Sequence, residues 1–119
     1  MRLSFEELRP YLRLGSSAPS AELIARAGEL AAAAPLHPAG RWTRDGGRFL
    51  LCGTIGAEFD TWQRRVSVAS ATDALIAQAI GTAAVERTMD DLEAEIRREL
   101  RFTAVLEPRR SPGYGELPL

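Results

Sequence analysis

The chain has 119 residues, of which 45% are hydrophobic and 26% are charged. This length is typical of one domain, and the composition is too apolar for a disordered chain. The formal net charge is −1, so no overall positive field attracts nucleic acid or an acidic membrane surface. Every basic residue is arginine, which excludes a catalytic or phosphate-binding lysine.

The sequence contains one cysteine, Cys52, and one histidine, His37. A disulfide framework and a multi-Cys/His metal site are therefore excluded within a single chain. A lone cysteine suits a reducing compartment, and neither a signal-peptide core nor a long apolar segment is present. We expect a soluble, cytoplasmic protein in which Cys52 is a buried structural thiol and His37 a solvated loop residue.

The N-terminal third is predicted to be helical. Ser4 and Glu7 have the spacing of a capping box, and Pro10 interrupts or kinks the short helix that they open. A second helix is predicted from about Ser20 to Ala34, because apolar residues recur there at steps of three and four. Pro35 ends it.

A hairpin is predicted next, since Asp45-Gly46-Gly47 supplies turn residues between two extended segments. The second segment, Phe49–Ile55, is a continuous apolar run and is typical of a strand buried on both faces. A helix over residues 57–69 would then place Phe59 and Trp62 in the core. Trp42 fits either the core or an exposed position on the hairpin.

A long helix is predicted from about Ala71 to Leu100, opened by Ser70 and Asp73 at capping spacing. Gly81 near its middle indicates the close approach of another backbone. The alternation over residues 102–107 predicts one more strand. The predicted fold class is α+β, a small mixed or antiparallel sheet packed on a long helix, in one domain spanning residues 1–119.

The C-terminal tail carries the candidate ligand contacts. Arg109 and Arg110 precede Pro112-Gly113-Tyr114, and an arginine fork binds carboxylates in bidentate fashion. Glycine permits close backbone approach, and an aromatic ring covers an adenine or a sulfonium cation. On composition alone, the alternative is a turn-rich tail without a ligand.

The tail string RRSPGYGELPL resembles the S-adenosylmethionine (AdoMet) segment of the activation domain of vitamin B12-dependent methionine synthase and of its stand-alone relatives. The runs Leu51–Asp60 and Ala79–Glu86 are similar to that family's strand with its Thr-x-Gly turn and to its long helix. Tyr11–Gly15 is similar to the opening of the stand-alone relatives. The chain resembles the N-terminal part of that domain, so we expect a shortened or truncated member with an incomplete version of the fold.

The resemblance implies a function and a set of ligand contacts. Arg109, five residues before Tyr114, would bind the AdoMet carboxylate, with Arg110 as the alternative; Ser111 and Gly113 would offer backbone groups, and Tyr114 would line the ligand. In the family, AdoMet methylates inactive cobalamin during one-electron reduction. The cobalamin would be held by a partner, a corrinoid-binding protein or domain, and the present chain would not be catalytic alone.

The alternative interpretation is that the chain is a non-catalytic interaction or structural module. Such a domain would keep the scaffold without the AdoMet pocket and would cover its exposed sheet edge by homodimerisation or by docking to a partner. The acidic residues of the long helix are interpreted as a solvated face rather than a metal site: Asp90, Asp91, Glu93 and Glu95.

Overall fold

In a computed structural model of the chain, residues 1–100 and 106–110 are described. They form an α+β fold in which a two-stranded antiparallel sheet packs against a long helix, as predicted. The elements are α1 (Phe5–Leu8), a 3₁₀ turn (Arg9–Tyr11), α2 (Ala21–Ala33), β1 (Ala39–Asp45), β2 (Arg48–Thr54), α3 (Ala57–Ala69) and α4 (Ala71–Leu100).

Serine side chains cap three of the helices, and two of these caps, Ser4 and Ser70, are the predicted ones. The backbone N–H of Glu7 donates to Ser4 Oγ at 3.3 Å, and the Ser4 N–H donates to Glu7 Oε1 at 3.2 Å. Ser20 accepts from the backbone of Leu23 at 3.1 Å, and Ser70 accepts from that of Asp73 at 2.9 Å. These bonds satisfy N–H groups that the first turn of a helix leaves without a partner, so three helix boundaries follow local chemistry.

The main core lies between α4 and the elements that precede it. Phe59 and Trp62 of α3 are buried, with ring centroids 5.5 Å apart, as predicted. A Cβ built on Gly81 would lie only 2.9 Å from Phe59 Cε2. Gly81 therefore makes room for an aromatic ring, and the expectation that a backbone approaches there is wrong.

A paired charge joins α2 to the start of α4. Arg26 donates from Nε to Asp73 Oδ1 at 2.9 Å and from Nη2 to Asp73 Oδ2 at 2.7 Å. Asp73 is only 7% exposed, and its hydrogen bonds from Arg26 hold its pKa below the usual range. A buried carboxylate is stable only when paired, so this contact fixes how α2 docks on α4.

The hairpin lies on the second half of α4. Asp45 pairs with Arg48 across a two-residue turn, and Gly46 takes a φ of 63° that favours glycine. A Cβ on Gly40 would meet Leu92 at 2.8 Å, and one on Gly53 would meet Met89 at 3.1 Å. Both strands therefore contact α4 through glycines, which brings the sheet close to the helix.

Two expectations about the hairpin are wrong. The second strand is not buried on both faces, because Leu50 is 54% exposed, and Cys52 is exposed rather than buried. In the described chain, α4 covers one face of the two-stranded sheet. Every second residue of the apolar run therefore faces away from α4.

The segment after α4 is described only in part. Leu106 and Glu107 lie outside any strand, and residues 102–105 of the predicted strand lie outside the described residues. Within the described ranges, no helix is sufficiently long and apolar to cross a bilayer.

Candidate functional site

The first candidate site is a charge cluster built around Arg109. Its Nη1 lies 2.9 Å from Asp90 Oδ1 and 2.8 Å from Glu93 Oε1, and its Nη2 lies 2.9 Å from Glu86 Oε2. Residues 86, 90 and 93 follow one another at steps of four and three, so they share a face of α4. Arg109 is therefore attached to that face of α4 through its guanidinium.

The cluster stabilises the protonated, positively charged form of Arg109. The Arg109 side chain is only 25% exposed. Burial acts to lower its pKa, but the hydrogen bonds and charges of Asp90 and Glu93 outweigh burial and raise the pKa. Three carboxylates around one guanidinium leave a local excess of negative charge. A ligand carboxylate that binds Arg109 must displace at least one of these acidic side chains.

The acidic residues of α4 were expected to be solvated. Asp90, Asp91 and Glu95 are exposed, as expected, and Glu93 is half-buried. Asp90 and Glu93 also bind Arg109. Among the residues that the structure describes, no group of three His, Cys, Asp or Glu side chains is placed to hold a metal ion.

The other predicted ligand contacts divide into two groups. Arg110 is exposed, and among residues 1–100 and 106–110 no acidic side chain pairs with it. Ser111, Gly113 and Tyr114 lie outside the described residues.

Thr54, Ile55 and Gly56 form a turn after β2 that is closed by a side-chain hydrogen bond. Gly56 has a φ of 95°, and its N–H donates to Thr54 Oγ1 at 3.1 Å. His37 packs against this turn, and its N–H donates to the Ile55 carbonyl oxygen at 2.8 Å. His37 is exposed in a loop, as expected, with Nε2 3.4 Å from Glu58 Oε2.

The second candidate site is the hairpin itself. The closing pair of a two-residue turn is hydrogen-bonded, and the bonded pairs then alternate along the ladder. The backbone groups of Gly40, Trp42 and Arg44 therefore point away from β2. In the described parts of the chain, no backbone hydrogen bond connects this outer edge of β1 to another segment.

The two faces of the hairpin differ in character. The face on α4 carries Trp42 and Phe49, which are half-buried with centroids 5.8 Å apart, and Arg44, which lies 5.6 Å from the Phe49 centroid. The opposite face carries Leu50 and Cys52, both exposed. The sequence allowed Trp42 either a core or a surface position, and its side chain is half-buried.

No protein-family model, curated protein or solved structure matches the chain.

Proposed function

We propose that this chain is an AdoMet-binding domain of the activation type, which presents a methyl donor to a corrinoid bound by a partner. The proposal rests on the Arg-Arg-Ser-Pro-Gly-Tyr string and its resemblance to the AdoMet segment of B12-dependent methionine synthases. In that role AdoMet supplies the methyl group, and this chain binds and orients it. A cytoplasmic location, favoured by the single cysteine, is part of the proposal.

One structural observation supports the proposal more than any other. The resemblance implies a strand, a Thr-x-Gly turn and then a long helix, and the described chain has these in that order at residues 51–60 and 79–86. The segment that leads into the tail lies along the same helix, held there by Arg109.

The carboxylate end of AdoMet fits the two arginines. Arg110 is exposed, and Arg109 already binds the carboxylates of Glu86, Asp90 and Glu93. The family spacing favours Arg109, in which case the ligand takes the place of an acidic side chain of α4.

The test is calorimetric titration of the chain with AdoMet and with decarboxylated AdoMet, which lacks only the carboxylate. A charge-assisted hydrogen bond contributes about 1.5–3 kcal/mol, which is roughly tenfold to a hundredfold in affinity. Arg109→Ala should weaken AdoMet binding by that factor and Arg110→Ala much less. Neither substitution should change the affinity for the decarboxylated compound.

Each outcome has a distinct meaning. A larger loss for Arg110→Ala would transfer the carboxylate contact to Arg110 and leave the proposed function intact. Equal affinity for AdoMet and decarboxylated AdoMet would show that neither arginine binds the carboxylate. Absence of AdoMet binding to the wild-type chain, with an unchanged far-UV circular dichroism spectrum, would refute the proposal.

A second candidate function is a non-catalytic interaction module. The outer edge of β1 favours it, because no described segment pairs with that edge and an open strand edge is a template for another strand. On this proposal the hairpin gains strands by association. Sedimentation velocity across a concentration series tests it: association is expected, and a monomer at all concentrations would contradict it.

A further inference from the structure

An open groove runs between the outer edge of β1 and α4. It has a volume of about 340 Å³ and is lined by Ala39 and Gly40 on one side and by Asp91, Glu95 and Arg98 of α4 on the other. No residue of β2 contributes to it. The groove therefore lies beside the edge at which Gly40, Trp42 and Arg44 present their backbone groups.

We propose that this edge and groove bind the same edge of a second copy of the chain, in a two-fold antiparallel pairing centred on Trp42. The proposal rests on the interaction module described above and adds to it a partner, an edge and a register. The result is one four-stranded antiparallel sheet with both α4 helices on one face.

The register is favourable for charge. With Trp42 opposite its own copy, Gly40 lies opposite Arg44 and Arg41 lies opposite Thr43. No two like charges are directly opposed, an arrangement that would destabilise a sheet. Opposed residues share a face, so each Arg44 lies on the side of the sheet that α4 covers.

The groove supplies the complementary charges for Arg44. Gly40 borders the groove that contains Asp91 and Glu95, and Arg44 of the second copy lies opposite Gly40 in this register. In the single chain, Arg44 Nε donates only to the Gly46 carbonyl oxygen at 3.2 Å. Each copy contributes two carboxylates and, with Arg98, two guanidinium groups, so the closed groove is neutral.

Disulfide trapping tests the register. We would replace Arg41 by cysteine in one sample and Thr43 by cysteine in another, both with Cys52→Ser, and mix them under mild oxidation. Residues 41 and 43 are directly opposed only in the proposed register, so a cross-linked heterodimer should form in the mixture. The control mixes Leu50→Cys in the Cys52→Ser background with the wild-type chain, because residues 50 and 52 oppose each other if two β2 edges pair about Leu51.

A charge reversal tests the groove. Arg44→Glu should raise the dissociation constant of the dimer at least tenfold, and adding Glu95→Arg should restore much of the affinity. Arg48→Glu is the matched control, because Arg48 lies on the hairpin face away from α4 and should change the constant less than twofold.

The outcomes separate this inference from the function on which it rests. Cross-linking of the 41/43 mixture, together with sensitivity to Arg44→Glu, supports the proposal. Association with cross-linking only in the 50/52 control would refute the β1 pairing while the interaction module stands. A monomer at all concentrations would refute both.

Discussion

Replacing Gly81 by alanine would test whether the fit of one aromatic ring sets the packing of α3 on α4. Gly81 is inside α4, and its missing side chain is what admits Phe59: a Cβ there would lie 2.9 Å from Cε2 and 3.1 Å from Cζ of that ring. Phe59 is 2% exposed, so the ring cannot swing into solvent. The ring or the helix must shift.

Two opposing effects set the magnitude. Alanine gains about 1 kcal/mol over glycine in a helix interior, whereas overpacking a core costs about 1–3 kcal/mol. Gly81→Ala should therefore lower the free energy of unfolding by up to about 2 kcal/mol, the difference of these terms. Gly28 is the matched control, because it is also helical and has nothing within 4 Å of its Cβ position. Gly28→Ala should raise stability by about 1 kcal/mol.

Urea denaturation of the two variants and the wild type measures both changes. Adding Phe59→Leu to Gly81→Ala completes a double-mutant cycle, which isolates the contact from the helix propensity of alanine. We expect the two substitutions together to be less destabilising than the sum of each alone. Equal gains in stability for Gly81→Ala and Gly28→Ala would show that the ring does not limit the packing at Gly81.

Three further predictions follow from the packing. Because Arg26 lowers the native pKa of Asp73, the ionised Asp73 stabilises the fold fully above its unfolded pKa of about 3.9. This stabilisation is lost as the pH falls through the lower native pKa. Acid titration of Asp73→Asn should lack that loss. Gly56→Ala, at a φ of 95° and a ψ of 149°, should cost about 1–3 kcal/mol in urea denaturation, and no loss would contradict the strain. Cys52 should react with a thiol reagent in the folded chain nearly as fast as in urea, whereas protection would contradict its exposure.

The predictions from sequence succeed where the cause is local. Ser4 and Ser70 cap helices because a hydroxyl three residues before an N–H group reaches it whatever the rest of the fold does. The two glycines after Asp45 form the hairpin turn for the same reason. The aromatic pair Phe59 and Trp62 is correctly placed in the core, because spacing of three identifies one helix face.

The failures share a different cause. Whether an apolar strand is covered on one face or two depends on how many layers surround it, and Leu50 and Cys52 carry no local signal of that. The pairing of Arg26 with Asp73 joins residues 47 positions apart. The Arg109 cluster is partly visible in the sequence, because residues 86, 90 and 93 share a helix face. The sequence does not show which cation they bind.

The two candidate functions use different sides of α4, and this makes them separable. With about 3.6 residues per turn, the side chains that bind Arg109 project nearly opposite to Thr88 and Leu92, which lie at the hairpin and its groove. Strand pairing at β1 therefore leaves the Arg109 face open, and a carboxylate bound at Arg109 would lie away from the groove. Arg109→Ala should weaken AdoMet binding without changing the dimer dissociation constant, and Arg44→Glu should do the reverse. If each variant altered both measurements, the two surfaces would be coupled through α4, and neither effect could be assigned to direct contact alone.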